Sequence, residues 1–222
     1  EADPYWPKWD SPWWQMLLLF EMGQASLIPD RVVSKFIDRL NRMSVQIFAI
    51  HPQEMPPGLD PFRDSPCHCQ LGLAYQVLFA KAVDVDQAVP WLRPWFLRYQ
   101  MADGGMNCDS DAYLAKGETP SSMVGLISVF EAMVNCTPRP YTAEEQAFLK
   151  KAVGFLLKRE LRLGSDSKHN ASEREDESDW LKPSFPRFYF YDVLRGLTAI
   201  LKWADKSGER LPRQPLQFVF DH

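Results

Sequence analysis

The stretch "ETPSSMVGLISVFEAMV", residues 118–134, opens with an acid, a hydroxyl residue and a proline, then runs on with Glu131 as its only charge. Proline suits the first helical position, where no amide donor is needed, and the preceding threonine is an N-cap residue type. A helix without a polar face has to be buried on all sides. The same opening occurs twice upstream as "DSP", at residues 10–12 and 64–66, and Pro12, Pro66 and Pro120 stand 54 residues apart. Ser11, Ser65 and Thr119 are therefore the expected caps, with helices beginning within about three residues of each proline. Charge-poor runs follow these starts, "WWQMLLLFEMG" and "CHCQLGLAYQVLFA".

A fourth, weaker copy is "SFP", ending at Pro186. The polar insertion "GSDSKHNASEREDESD", residues 164–179, accounts for its longer spacing. Such a composition buries little apolar surface, so the insertion is expected to be a loop at the outside or at a rim. Each of the first three copies is followed by an amphipathic segment: "IPDRVVSKFIDRLNRM" (28–43), "DQAVPWLRPWFLRYQ" (86–100) and "TAEEQAFLKKAVGFLLKRE" (142–160). Thr142 and Glu145 make a capping box for the third. The fold class is all-α, apart from candidate extended pieces at "VQIFAIHP" (45–52) and "LQFVF" (216–220). Buried helices alternating with amphipathic ones predict inner and outer layers. This favours an α/α toroid, or an arc of one, built from about four helical hairpins in one domain over residues 1–222. The repeats lie near 10–44, 64–105, 118–162 and 184–207.

The chain has 222 residues, 45% of them hydrophobic, with a net charge of −4. There is no Lys/Arg stripe interleaved with aromatics, which argues against nucleic acid as a partner. The longest apolar stretch is too short for a transmembrane segment, which takes roughly 20 residues, and the expectation is a soluble protein. Four cysteines are too few for a disulfide scaffold, so reduced thiols and a cytoplasmic location are favoured. The chain opens "EADPYW" without methionine, so a targeting segment could lie outside the sequence in view. "NAS" at Asn170 is a glycosylation acceptor only in a secreted eukaryotic setting.

The segment "FLRYQMADGGMNCDSD", residues 96–111, places Gln100 before Asp103-Gly104-Gly105 at the end of an amphipathic helix. It resembles the Q-x-x-D-G-G-W signature of the squalene cyclase and protein prenyltransferase superfamily, whose members are α/α toroids. "SFPRFYFYDVLRGLTAILKW" resembles terminal repeats of bacterial proteins in that group. The resemblance spans roughly residues 10–205. Met106 stands where the signature has tryptophan, the acidic D-x-D-D motif is replaced by "DSD" at 109–111, and four hairpins fall short of the family's six. Self-association or a partner chain would complete such a ring.

"PCHC", residues 66–69, brings thiol and imidazole groups to the start of one buried helix, and the loop carrying Cys108 leads to the start of the next. The resemblance implies zinc, since prenyltransferases hold it with an Asp-x-Cys pair and a histidine, and lanthipeptide cyclases with two cysteines and a histidine. The favoured pair is Cys67 with Cys108, completed by His68 or Cys69. On a regular helix Cys67 and Cys69 point about 200° apart, which opposes their sharing one ion. Cys136 is read as a packing residue, and His51, His169 and His222 as solvated bystanders.

Trp13, Trp14, Phe188 and Tyr189 are candidate ligand-binding rings, because the resemblance implies an aromatic cavity for an isoprenoid chain; core packing is the plainer explanation. Asp192 with Tyr191, and Asp109 with Asp111, are candidate catalytic groups. Asp192 could equally be a structural partner of Arg187 or Arg195, and Glu21 and Glu131 invite the same two readings. The function expected from these features is a prenyltransferase- or terpene cyclase-like protein that binds an apolar, isoprenoid-type small molecule in a central cavity with zinc-assisted thiol chemistry. The alternative is a non-catalytic helical-repeat interaction module; a carbohydrate-active toroid would need paired carboxylates in a cleft.

Overall fold

The structure, a computed structural model, describes residues 7–43, 52–59 and 67–218. Among these the chain is helical and contains no strand. Its α-helices are α1 (Pro12–Glu21), α2 (Asp30–Asn41), α3 (His68–Ala80), α4 (Val85–Ala88), α5 (Leu92–Arg98), α6 (Met123–Asn135), α7 (Ala143–Lys158), α8 (Glu173–Trp180) and α9 (Val193–Ser207). None of them is long and apolar enough to cross a membrane. One apolar cluster runs from Trp13 on α1 to Leu216 near the C-terminal end.

The most buried helices are charge-poor ones. α3 and α6 bury most of their residues, pack along each other more extensively than any other pair, and are flanked by α1 on the α3 side and by α7 and α9 on the α6 side. Gly72 makes the α3–α6 approach close: a Cβ there would lie 2.5 Å from the Ser128 carbonyl carbon. Across the same crossing Ser128 Oγ donates to the Cys69 carbonyl at 3.0 Å, and Gln76 Nε2 donates to the Ser128 carbonyl at 3.0 Å. These bonds satisfy polar groups in a contact that excludes water.

Helix starts agree with the proline spacing at α1, α3 and α6, although Pro66 and Ser65 lie outside the described residues. The caps differ. Ser11 makes no side-chain cap bond, and Ser122, not Thr119, accepts from the Gly125 amide to cap α6. The Pro120 carbonyl takes hydrogen bonds from Asn107 Nδ2 and Asn170 Nδ2, the Ser121 amide turns back to the Thr119 carbonyl, and the helix begins only after the extended Ser122. The fourth start fails: α9 begins seven residues beyond Pro186. Residues 187–190 are instead held by side chains, with Glu21 accepting the Arg187 and Phe188 amides and Arg195 donating to the Phe188 and Phe190 carbonyls. The amphipathic span 86–100 divides into α4 and α5, because Pro90 removes a donor and disfavours helix at Val89. The capping box at Thr142 and Glu145 is present. Of the two candidate extended pieces, residues 45–51 and 219–220 lie outside the described residues, and Leu216 sits in a 3-10 turn.

The insertion 164–179 is ordered, against expectation. It orders itself by polar contacts: Glu173 accepts the Met123 amide and pairs with Arg159, Glu177 accepts the Gly164 amide, and Glu118 accepts the Lys168 and His169 amides. Composition underestimates such a segment because its partners are backbone groups elsewhere in the chain.

Candidate metal centre at the start of α3

Cys67 is the N-cap of α3, with an extended backbone at φ −114° and ψ 128°, and Cys69 lies in the first turn. Because Cys67 is not helical, the separation of about 200° that a regular helix imposes does not apply. The two sulfurs come to 3.0 Å of each other. Cys108 reaches the same place from the loop before α6, where its sulfur accepts the Cys69 amide at 3.3 Å. All three Sγ atoms lie within 4.8 Å of one another.

Three features position Cys108. The Asp103-Gly104-Gly105 turn is pinned by Asp103 Oδ1, which accepts from the Gly105 amide and from Ser121 Oγ, while Gln100 Nε2 bonds the Gly104 and Phe148 carbonyls. Gly104 has φ +94°, and a Cβ there would lie 2.2 Å from the Lys151 carbonyl oxygen, so only glycine fits. Met106 then sits fully buried in the core, its carbonyl accepting the Ser122 amide at 2.8 Å. Asn107 is the hub: its Nδ2 donates to the Pro120 carbonyl and to Asn170 Oδ1, its Oδ1 accepts the Asp109 amide, and its own amide donates to Tyr113 Oη.

His68 is not among the converging ligand atoms. Its ring is fully buried against Trp95, Tyr99 and Tyr113, and its Nδ1 bonds the Asn107 carbonyl. Burial pulls its pKa down to about 4, against the opposing pull of that carbonyl, so the imidazole is neutral and Nδ1 carries the proton it donates. His68 is thus a brace between α3 and the Cys108 loop.

The sulfurs are not equivalent. Hydrogen bonds from Cys108 and from Cys69 hold the Cys67 thiol well below its usual range. Cys108 is pushed up by its bonds to Cys67 and Cys69 and by burial. Cys69 is also pushed up, the bond from Cys108 being outweighed by Cys67 and by burial. Of the three, Cys67 is the sulfur most disposed to be a thiolate, and it stands at a helix start, which favours negative charge. Cys136 lies apart, buried at the end of α6 with its thiol raised to about 12 by burial, as a packing residue should be.

The other candidates do not gather into one site. Asp192 Oδ1 caps α9 by accepting the Arg195 amide at 2.7 Å and its Oδ2 pairs with Arg187 at 2.9 Å, so the structural alternative is the arrangement present. Tyr191 donates to the Leu161 carbonyl and packs edge-on against Trp180. Glu21 holds the 187–188 amides and Glu131 pairs with Arg195. Asp109 accepts the Asp111 amide, and Asp111 is exposed. Trp14, Phe188 and Tyr189 do converge, with Trp9 and the Lys8 ammonium among them, whereas Trp13 stacks on Phe36 in the α1–α2 core. His169 is no bystander: its Nε2 bonds Asp109 Oδ2 at 2.8 Å, one residue from Cys108. Together with Asn107 and Asn170 it was hidden in the sequence because its partners lie far along the chain. Comparison with protein-family models, with curated proteins and with solved structures gives no match.

Proposed function

We propose that the chain holds a thiophilic metal ion, zinc by preference, between Cys67, Cys69 and Cys108, and uses the open position on that ion to activate a thiol for reaction with an apolar, isoprenoid-type molecule. The observation that carries this reading is the convergence of three sulfurs from two segments within 4.8 Å. Thiolates sharing a tetrahedral zinc at about 2.3 Å stand roughly 3.8 Å apart, so small side-chain rotations suffice. Among the described residues no fourth His, Cys, Asp or Glu joins the set, the pattern of a site with a position left for substrate. Zinc there would supply Lewis acidity that keeps a bound thiol deprotonated and nucleophilic.

The chain's own residues set the stage. Cys67 is disposed to be a thiolate, His68 and Asn107 brace the Cys108 loop, and the partly exposed rings of Phe188 and Tyr189, packed on the buried Trp14, are the aromatic surface this reading gives to an apolar body. In this reading α1, α3, α6 and α9 are the inner helices of a partial α/α toroid, α2, α5 and α7 its outer helices, and a partner chain or self-association closes the open side.

Metal analysis of protein purified without chelator tests the proposal. About one zinc per chain, lost in Cys67→Ser and in Cys108→Ser, with a thiolate-to-metal charge-transfer band on cobalt substitution, is the expected result. A metal-free protein that gives no such band with cobalt overturns it. A second reading, a helical-repeat interaction module, is favoured by Leu194 and Leu201, which stand about half exposed on α9.

A further inference from the structure

A second concavity lies between the start of α6 and the segment that joins α8 to α9, and it shares no residue with the cysteine cluster. It encloses about 380 Å³, within the range of small-molecule sites. Trp180 and Tyr191, both buried and packed edge-on with ring centroids 5.2 Å apart, line it together with Val124. The half-exposed ring of Phe190 lines it as well, and so do Asp176 and Asp179 on α8 and Lys182 just beyond it.

The charges in this cleft are unbalanced. α8 reads "EREDESDW", and its inward-facing acids are already engaged, Glu173 by Arg159 and the Met123 amide, Glu177 by the Gly164 amide. Asp179 is paired with Lys182 at 2.8 Å. No cationic side chain among the described residues bonds Asp176, and burial together with Asp179 and Glu175 pushes its carboxyl up from the usual range. A ligand that matches the cleft puts positive charge against Asp176 and apolar surface against Phe190 and Trp180, whose ring faces themselves attract cations. Two carboxylates and one ammonium, that of Lys182, line the cleft, so a cation is favoured over an anion and a neutral ligand gains no charge contact.

We propose that this cleft binds a small organic monocation: a protonated amine carried on an apolar body of one or two rings. It is independent of the metal reading.

Titration of the full chain with phenethylammonium, followed by tryptophan fluorescence and by calorimetry, tests it. Saturable 1:1 binding is expected, weakened about three- to fivefold by Asp176→Asn and by Phe190→Ala, and about three- to fivefold weaker for the neutral isostere 2-phenylethanol, the order that a single charge contact at an exposed carboxylate supplies. Asp111→Asn, an exposed carboxylate elsewhere, should leave the affinity unchanged. No saturation, equal binding of the alcohol, or indifference to Asp176→Asn in a protein with unaltered circular dichroism overturns the proposal. Because Asp176 is exposed, its variant is expected to fold.

Discussion

The backbone amide of Cys69 donates to the sulfur of Cys108 at 3.3 Å across 39 positions of sequence. The bond ties the Cys108 loop to the first turn of α3 and so sets where the third sulfur stands. Neither segment alone presents three sulfurs; the loop from the glycine turn has to dock against the start of α3.

Metal uptake should release protons. Cys69 and Cys108 are raised above the ordinary thiol range in the metal-free cluster, and both must lose a proton to bind. Apparent zinc affinity should therefore fall as pH drops from about 8 to about 6, measured against a chromophoric chelator. A pH-independent affinity would sink the three-thiolate set.

Asn107→Ala removes the hub that holds Cys108 without touching a sulfur. Zinc affinity should fall by about 10- to 100-fold, the usual loss when an outer-shell partner goes. The same competition assay reads it, with Asp111→Asn as the control.

Gly72→Ala places a methyl 2.5 Å from the Ser128 carbonyl carbon and the Val129 nitrogen. These are backbone atoms, so the helices have to part. Thermal or urea unfolding should show a loss of about 1–3 kcal/mol, whereas Gly154→Ala, with open space around it, should be neutral or stabilising.

Glu145 is buried, and although burial works against its charge, Arg139, the Thr142 amide and Arg93 hold its carboxyl down to about 2. A carboxylate whose folded pKa is depressed contributes stability above its unfolded value and loses it as pH falls through the folded one. Acid unfolding should thus show a component lost between about pH 4.5 and about pH 2, worth roughly 3 kcal/mol, that is missing in Glu145→Gln.

Local rules were legible where the chain solves its problems locally. Thr142 and Glu145 cap α7 within one turn, and Pro12 opens α1 as its type prefers. They failed where distant groups compete. Glu21 and Arg195 hold residues 187–190 out of helix, so the start expected near Pro186 moved to Val193. The insertion misled for the same reason, since Glu173 and Glu118 find amide partners 50 positions away.

What the sequence by itself determined is the helical class, the placement of the buried helices and the candidacy of Cys67 and Cys108, because apolar patterning, proline positions and thiol chemistry act over one or two turns. Only the tertiary structure decided that Cys69 completes the trio while His68 turns inward as a brace. That choice depends on Cys67 being a non-helical cap and on where the Cys108 loop docks. Both follow from contacts between residues far apart in the chain, which no local pattern encodes.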